Sequence, residues 1–218
     1  MPAIRILPTL CSVLVLSACL SDTAKTPAAD PPAQALPPAP DGQAFSSAEY
    51  DAWRRHHGLS EADFGTFEPA GEASLQWGPW NTDSTTAALH RSLFIWRHDS
   101  AYWIDLHSYS CILERKAGTL ISLGCEPDTK IQWVRRSDSA AVALLYCGTV
   151  CMFETACWTD SATVELLGVT ETAEATYIPT RWRIDLQRGR TWIAYAARSF
   201  TTRPDSYFEL RLMQAGSQ

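Results

Sequence analysis

Residues 181–194 read RWRIDLQRGRTWIA, and this stretch decides the fold class. Its apolar side chains fall at every second position, at Trp182, Ile184 and Leu186, with polar residues between them. A period of two places alternate side chains on opposite faces of a β-strand. The polar residues after Leu186, together with Gly189, predict a tight turn followed by a return strand. The stretch therefore predicts an antiparallel hairpin with one face against a core.

The same period of two recurs along the chain from about Ala73, and we predict at least nine strands. The other clear alternations are in residues 102–107 and 207–212. Strands that are buried on both faces have apolar residues at nearly every position. Runs of this kind, which we predict in the middle of sheets, are residues 92–96, 131–134, 142–146 and 164–169.

Helical signals are confined to the start of this region. Ser46-Ser47-Ala48-Glu49 resembles a capping box and predicts a short helix over residues 46–57 that ends at Gly58. We interpret His56 and His57 as a surface helix end, where an imidazole suits the negative pole of the helix. Ser60-Glu61-Ala62-Asp63 predicts one further helical turn.

The tripeptide Asp-Ser-Ala occurs three times, at residues 99–101, 138–140 and 160–162. Each copy follows a predicted strand that carries a tryptophan and precedes another predicted strand. Asp and Ser side chains can accept hydrogen bonds from the backbone of a turn. We therefore predict three hairpins in which the Asp side chain holds the turn.

These Asp-containing turns, with the Asp-Leu-x-x-Gly-Arg corner at residues 185–190, resemble the blades of β-propellers over residues 93–197. The first two Asp-Ser-Ala units start 39 residues apart and the last two 22 residues apart. The strand region allows at most three or four blades of ~40–45 residues. We therefore predict an all-β fold, either an antiparallel meander or two packed sheets with blade-like hairpins, plus a short N-terminal helix.

The N-terminus has a different character. A short basic start, residues 1–5, precedes an apolar run that is too short to span a bilayer and is typical of an export signal. The run ends in Leu16-Ser17-Ala18-Cys19, which resembles the lipobox of bacterial lipoproteins. The resemblance implies that residues 1–18 are a signal peptide and that Cys19 is acylated before cleavage. Each buried methylene of an acyl chain contributes about 0.8 kcal/mol to membrane attachment.

The same resemblance implies an address in the cell envelope. In lipoproteins an aspartate after the acylated cysteine favours the inner membrane, and this chain has Leu20 there. We therefore expect an outer-membrane anchor facing the periplasm. Residues 19–43 hold the lipidated cysteine and a Pro/Ala-rich linker, whose polyproline II conformation gives reach at about 3.1 Å per residue. Residues 44–218 are predicted to form a single β-rich periplasmic domain.

The charge of the chain bears on its partners. The formal net charge is −6, with 18 basic and 24 acidic residues, and loss of Arg5 with the signal makes it −7. Nucleic-acid recognition normally needs a basic face. We therefore expect no nucleic-acid partner. The partners that we do expect are the membrane, through the acyl chains, and an envelope protein or glycan.

Five cysteines follow the anchor, and an oxidising periplasm favours disulfides between them. Cys111 and Cys125 lie symmetrically about Gly118 in a predicted hairpin, which places them on opposed strands at disulfide distance. Cys147 pairs with Cys151 in a small loop or, as an alternative, with Cys157 across the next strand. The unpaired cysteine is expected in the core. Their spacings do not fit a zinc site, and we predict neither a metal nor a cofactor.

Candidate functional residues are few. The chain has no nucleophile elbow, zinc-protease helix, phosphate loop or dinucleotide fingerprint. Trp77 and Trp80 lie in a loop-like stretch where exposed rings can stack on sugars or anchor a partner protein. Asp105 and His107 share one face of a predicted strand and join them as a candidate binding surface.

Two functional interpretations remain open on the sequence. The first is a membrane-anchored envelope lipoprotein with a non-enzymatic binding domain. The alternative is a small periplasmic hydrolase with catalytic residues borne on loops. A deep pocket that gathers acids or histidines with shifted pKa values would favour the hydrolase.

Overall fold

The computed structural model describes residues 47–216. The predicted signal peptide, the lipidated Cys19, the linker over residues 19–43 and the predicted helix cap at Ser46 lie outside the described residues. The predictions about them stay predictions.

Strands dominate the described part of the chain. The helices are α1 Ala48–His56, α2 Ser84–His90 and α3 Tyr207–Gly216, with single 3-10 turns at Glu61–Asp63 and Arg91–Leu93. The strands are β1 Glu68–Glu72, β2 Gly78–Pro79, β3 Ile95–Trp96, β4 Tyr102–Asp105, β5 Cys111–Lys116, β6 Thr119–Cys125, β7 Thr129–Arg135, β8 Ala140–Cys147, β9 Cys151–Trp158, β10 Thr163–Glu171, β11 Tyr177–Asp185 and β12 Arg190–Tyr195.

Two five-stranded antiparallel sheets share one core. The first has the order β1-β12-β11-β10-β9 and the second the order β2-β8-β7-β4-β3, while β5 and β6 form a separate hairpin. The largest apolar cluster contains Val164, Leu166 and Ile184 of the first sheet and Ile104 and Ile131 of the second, all fully buried. The predicted all-β fold with a short N-terminal helix is confirmed, in its two-sheet form.

The first helix packs on the outer face of the first sheet. Ser47 caps α1 by accepting the Tyr50 N–H at 3.0 Å. Gly58 follows the end of the helix and has a positive φ of 63°. Trp53 is completely buried against Leu167 and Cys157 of the sheet. The predicted helix is confirmed, and so is the capped turn after it, where the Asp63 carboxylate accepts the Ser60 N–H and hydroxyl.

Arg181 fastens the segment after α1 to the same sheet face. Its guanidinium is buried and donates to Glu165 of the adjacent strand at 2.8 Å and to Glu61 at 2.9 Å. The same group lies over the rings of Tyr50 and Phe64, at 4.6 and 5.2 Å from their centroids. The polar face of the alternating strand is therefore covered by residues that follow the linker.

Two helices replace predicted β-structure or loops. The strand predicted over residues 207–212 is wrong, because these residues form α3. Phe208 and Leu212 are one helical turn apart, and both are buried. Their spacing places them on one face of a helix as well as on one face of a strand. Helix α2 was not predicted from the sequence either, although Asp83 caps it by accepting the Thr85 and Thr86 N–H groups.

The three Asp-Ser-Ala turns are confirmed as hairpin-type connections held by their aspartates. Each Asp Oδ1 accepts the N–H of the alanine two residues later, at 2.9, 3.2 and 2.7 Å for Asp99, Asp138 and Asp160. Ser100 and Ser139 adopt positive φ values of 54° and 53°. The three copies of the tripeptide therefore share a hydrogen bond from the turn backbone to the aspartate.

Both disulfides in the described chain involve predicted cysteines. The turn of the β5–β6 hairpin has two residues, Ala117 and Gly118, both with positive φ, which alone would pair Cys111 with Gly124. A register shift near Leu123 moves the pairing by one, and Cys111 lies opposite Cys125 and is bonded to it. Cys147 is bonded to Cys151, which resolves the open alternative and leaves Cys157 as a buried free thiol.

Candidate binding face and polar cleft

Three aromatic side chains form a platform at one end of the second sheet. The Trp77 and Trp133 ring centroids are 4.8 Å apart, and those of Tyr102 and Trp133 are 5.2 Å apart. Trp77 keeps 37% of its surface exposed, while Tyr102 and Trp133 are half-buried. We refer to Trp77, Tyr102 and Trp133 as the aromatic platform.

Two arginines lie over rings of the aromatic platform. The Arg135 guanidinium carbon lies 4.3 Å from the Trp77 ring centroid, and that of Arg97 lies 4.3 Å from the Tyr102 centroid. The side-chain hydrogen bond from Arg97 is the main reason that the pKa of Asp99 is lowered to about 2. Arg135 likewise lowers the pKa of Asp138. Both arginines are therefore oriented by the aspartates of the Asp-Ser-Ala turns.

The three Asp-Ser-Ala turns meet beside this platform. Arg97 donates to the backbone carbonyl of Ser161 at 3.0 Å, which joins the third turn to the first. The first two turns enclose a groove of about 500 Å³, and its lining includes Ser100, Tyr102, Arg136 and Ser137. Ring faces, arginines and serine hydroxyls are thus presented together, the set that stacks on a flat ligand and donates hydrogen bonds to it.

Trp80 belongs to a different cluster, on the opposite face of the same sheet. Its ring contacts Trp103 and Phe94, with centroids 5.2 and 5.7 Å apart, and its Nε1–H donates to Asp105 at 3.0 Å. Trp80 is half-buried and does not join the aromatic platform. Of the four residues predicted as one binding surface, Trp80 and Asp105 are therefore in contact, whereas Trp77 lies on the other face of the sheet.

Asp105 and His107, which the sequence predicted as part of a binding surface, are buried instead. They are 2% and 5% exposed, because the other sheet covers one face of β4 and aromatic or helical side chains cover the other. Asp105 accepts the Ser108 N–H at 3.0 Å and the Ser108 hydroxyl, in addition to Trp80. Its role is to hold the loop after β4.

His107 is enclosed by the hairpin and α3. Its ring centroid lies 4.0 Å from that of Phe208, and its buried Nε2 has no hydrogen-bond partner within the described residues. Burial, with smaller effects of Arg211 and His90, lowers the pKa of His107 to about 3. A base with so low a pKa is poorly matched to proton transfer near neutral pH.

Glu154 anchors another buried histidine, His57. It occupies an extra position in β9, opposite the junction of Leu167 and Gly168, where the register shifts. Its carboxylate accepts the Trp53 indole N–H at 2.8 Å and the Tyr207 backbone N–H at 2.8 Å, and it bonds the His57 Nε2 at 2.7 Å. All these partners are buried.

The cluster around Glu154 was not predicted from the sequence. His57 was interpreted as part of a surface helix end, and that interpretation is wrong, because only 5% of the residue is exposed. The signal that could have identified Glu154 is a lone carboxylate in the apolar run around Phe153, where burial requires hydrogen-bond partners.

A polar cleft of about 440 Å³ lies beside Glu154 and His107, and its wall also carries Glu171, Arg203 and Ser206. Three buried donors already occupy the Glu154 carboxylate, and burial keeps His107 neutral. The cleft therefore offers polar recognition more readily than acid–base chemistry.

The free thiol offers no nucleophile. Cys157 is 3% exposed, and burial is the main reason that its pKa is raised to about 12. Thiol reactivity depends on the thiolate, which such a pKa suppresses. Within residues 47–216, no group of three or more His, Cys, Asp or Glu side chains is arranged to hold a metal ion.

Comparison of the chain with protein families, with curated proteins and with solved structures gives no match. Among the described helices, none has the length and apolarity needed to cross a membrane.

Proposed function

We propose that the chain is a lipid-anchored protein of the cell envelope whose β-domain binds an envelope glycan through the aromatic platform. The anchor is inferred from the lipobox resemblance at residues 16–19, and the reach from the Pro/Ala-rich linker. The observation that carries the binding role is the exposed Trp77 ring, which packs against Trp133 and has the Arg135 guanidinium over it.

The geometry suits a sugar ring. An aromatic side chain held by neighbouring rings loses little conformational entropy on binding, because its orientation is already fixed. The part of the Trp77 ring that stays exposed can pack on the C–H face of a sugar. Arg136 and the turn serines 100 and 137 in the adjoining groove can donate hydrogen bonds to hydroxyls. Binding without catalysis agrees with the occupied Glu154 carboxylate and the neutral His107.

Replacing Trp77 with alanine tests this role. The full mature protein in detergent would be co-sedimented with purified peptidoglycan sacculi, as the envelope glycan probe. We expect the Trp77→Ala variant to bind at least about tenfold more weakly, equivalent to about 1.4 kcal/mol or more, the range of an interface hot spot.

The matched control is Tyr195→Ala, which removes another exposed aromatic ring, 46% exposed, on a different sheet. It should leave binding unchanged. Equal loss in both variants, or sacculus binding that is unaffected by Trp77→Ala, would contradict binding through the aromatic platform. Absence of any binding by the wild-type chain would contradict a glycan ligand.

A further inference from the structure

A second cleft lies at the seam between the edges of the two sheets. Strand β9 is the last strand of the first sheet and β3 the last of the second. The cleft between them has a volume of about 530 Å³, and its aromatic wall consists of Phe94, Trp96 and Trp158. The Trp158 indole N–H donates to the Ile95 carbonyl at 3.0 Å, which fixes the ring across the seam. We refer to this site as the seam cleft.

The chain enters the domain at this cleft. Ser47, the first described residue, caps α1 and also contributes to the wall of the seam cleft, as does Glu49. The segment Leu36-Pro37-Pro38-Ala39-Pro40 ends seven residues before Ser47 and carries no charge. Since an extended chain spans at most about 3.3–3.6 Å per residue, the whole segment lies within reach of the cleft.

A turn signature separates the segment from the domain. Pro40-Asp41-Gly42 has the order of residues that favours a chain reversal, with proline fixing φ and glycine supplying a positive φ. A reversal there would direct residues 36–40 back toward the domain that follows.

We propose that the seam cleft binds the chain's own segment Leu36–Pro40. Proline-rich segments in the polyproline II conformation bind grooves lined by aromatic rings, because their conformation is preformed and little entropy is lost. The apolar segment matches the rings of Trp96 and Trp158. Its short tether gives an effective concentration in the millimolar range, so even a weak contact is populated.

The bound segment would set the reach of the domain. With residues 36–40 held in the seam cleft, the tether to the membrane is reduced from residues 19–43 to residues 19–35. This inference does not depend on glycan binding, because the cleft and the aromatic platform use different residues.

Hydrogen exchange in the full mature protein tests the proposal. The variant Pro37→Ala/Pro38→Ala/Pro40→Ala removes the preformed conformation, and Pro27→Ala/Pro31→Ala/Pro32→Ala is a control with the same number of changes farther upstream. We expect faster exchange at residues 94–98 and 156–161 in the first variant alone. Equal exchange in both variants and the wild type would contradict the proposal.

Binding of a synthetic peptide of residues 34–42 shows whether the seam cleft is occupied by the chain's own segment or is open to a separate partner. We expect it to bind the Pro37→Ala/Pro38→Ala/Pro40→Ala variant and to bind the wild type on the order of tenfold more weakly, because the tethered segment competes. Equal binding to both chains would mean that the cleft is open and takes a proline-rich partner instead. Binding to neither would exclude the segment as its ligand.

Discussion

Replacing Glu154 with alanine is expected to lower the free energy of unfolding by about 3–5 kcal/mol, the cost of breaking a buried hydrogen-bonded pair. The change leaves the indole N–H of Trp53, the imidazole of His57 and the backbone N–H of Tyr207 without an acceptor in the interior. These groups tie α1 and α3 to β9. Denaturant unfolding of the oxidised protein, followed by tryptophan fluorescence, measures the loss.

The control for this prediction is Glu174→Ala, since Glu174 is an exposed residue in the turn between β10 and β11. It should change the free energy of unfolding by no more than about 0.5 kcal/mol. Glu154→Gln keeps one acceptor oxygen and should fall between the two. A Glu154→Ala protein as stable as the control would show that the cluster does not hold the helices to the sheet.

Acidification is expected to destabilise the protein through His107. Burial lowers the folded-state pKa of His107 to about 3, whereas an unfolded chain has a histidine pKa near 6.5. Between these pH values the unfolded state binds one more proton than the folded state. The contribution is therefore complete above pH 6.5 and is lost as pH falls, at up to about 1.4 kcal/mol per pH unit.

The variant His107→Leu removes that titration. Its free energy of unfolding should depend less steeply on pH between about 6.5 and 4.5, whatever its value at pH 7, and this separates titration from packing. His98→Gln, a change at an exposed histidine, should keep the wild-type slope. If His107→Leu and wild type show the same slope, His107 is not the buried titrating group described above.

The sequence was most informative where one local rule acts alone. The alternation at Trp182–Leu186 and the aspartates of the Asp-Ser-Ala turns predicted strands and turns because period and turn chemistry are local properties. Symmetry about Gly118 predicted the correct pairing of Cys111 with Cys125, but for an incomplete reason. The turn itself would pair Cys111 with Gly124, and a register shift farther along the hairpin moves the pairing by one residue.

Tertiary packing determines the structure and burial of the residues that the sequence pattern placed wrongly. The spacing of Phe208 and Leu212 fits either a strand or a helix, and packing on the β5–β6 hairpin selects the helix. Asp105 and His107 occupy the polar positions of their alternation, yet a second layer covers that face of β4. A pattern shows which side chains share a face, and it does not show whether another element covers that face.

The partners of Glu154 could not be predicted for a related reason. Trp53 and His57 lie about a hundred positions away along the chain, and a register shift in β9 brings the carboxylate to them. Of the predicted candidate site, only Trp77 lies on an exposed surface suited to binding.

Mass spectrometry of the mature protein purified from membranes tests whether the domain is lipid-anchored in an oxidising envelope. The N-terminal mass and the cysteine links are read from one non-reducing digest. We expect an N-terminus at Cys19 that carries two or three acyl chains, Cys111 linked to Cys125, Cys147 linked to Cys151, and Cys157 reduced. An unmodified N-terminus or fully reduced cysteines would contradict a lipid-anchored domain in an oxidising envelope.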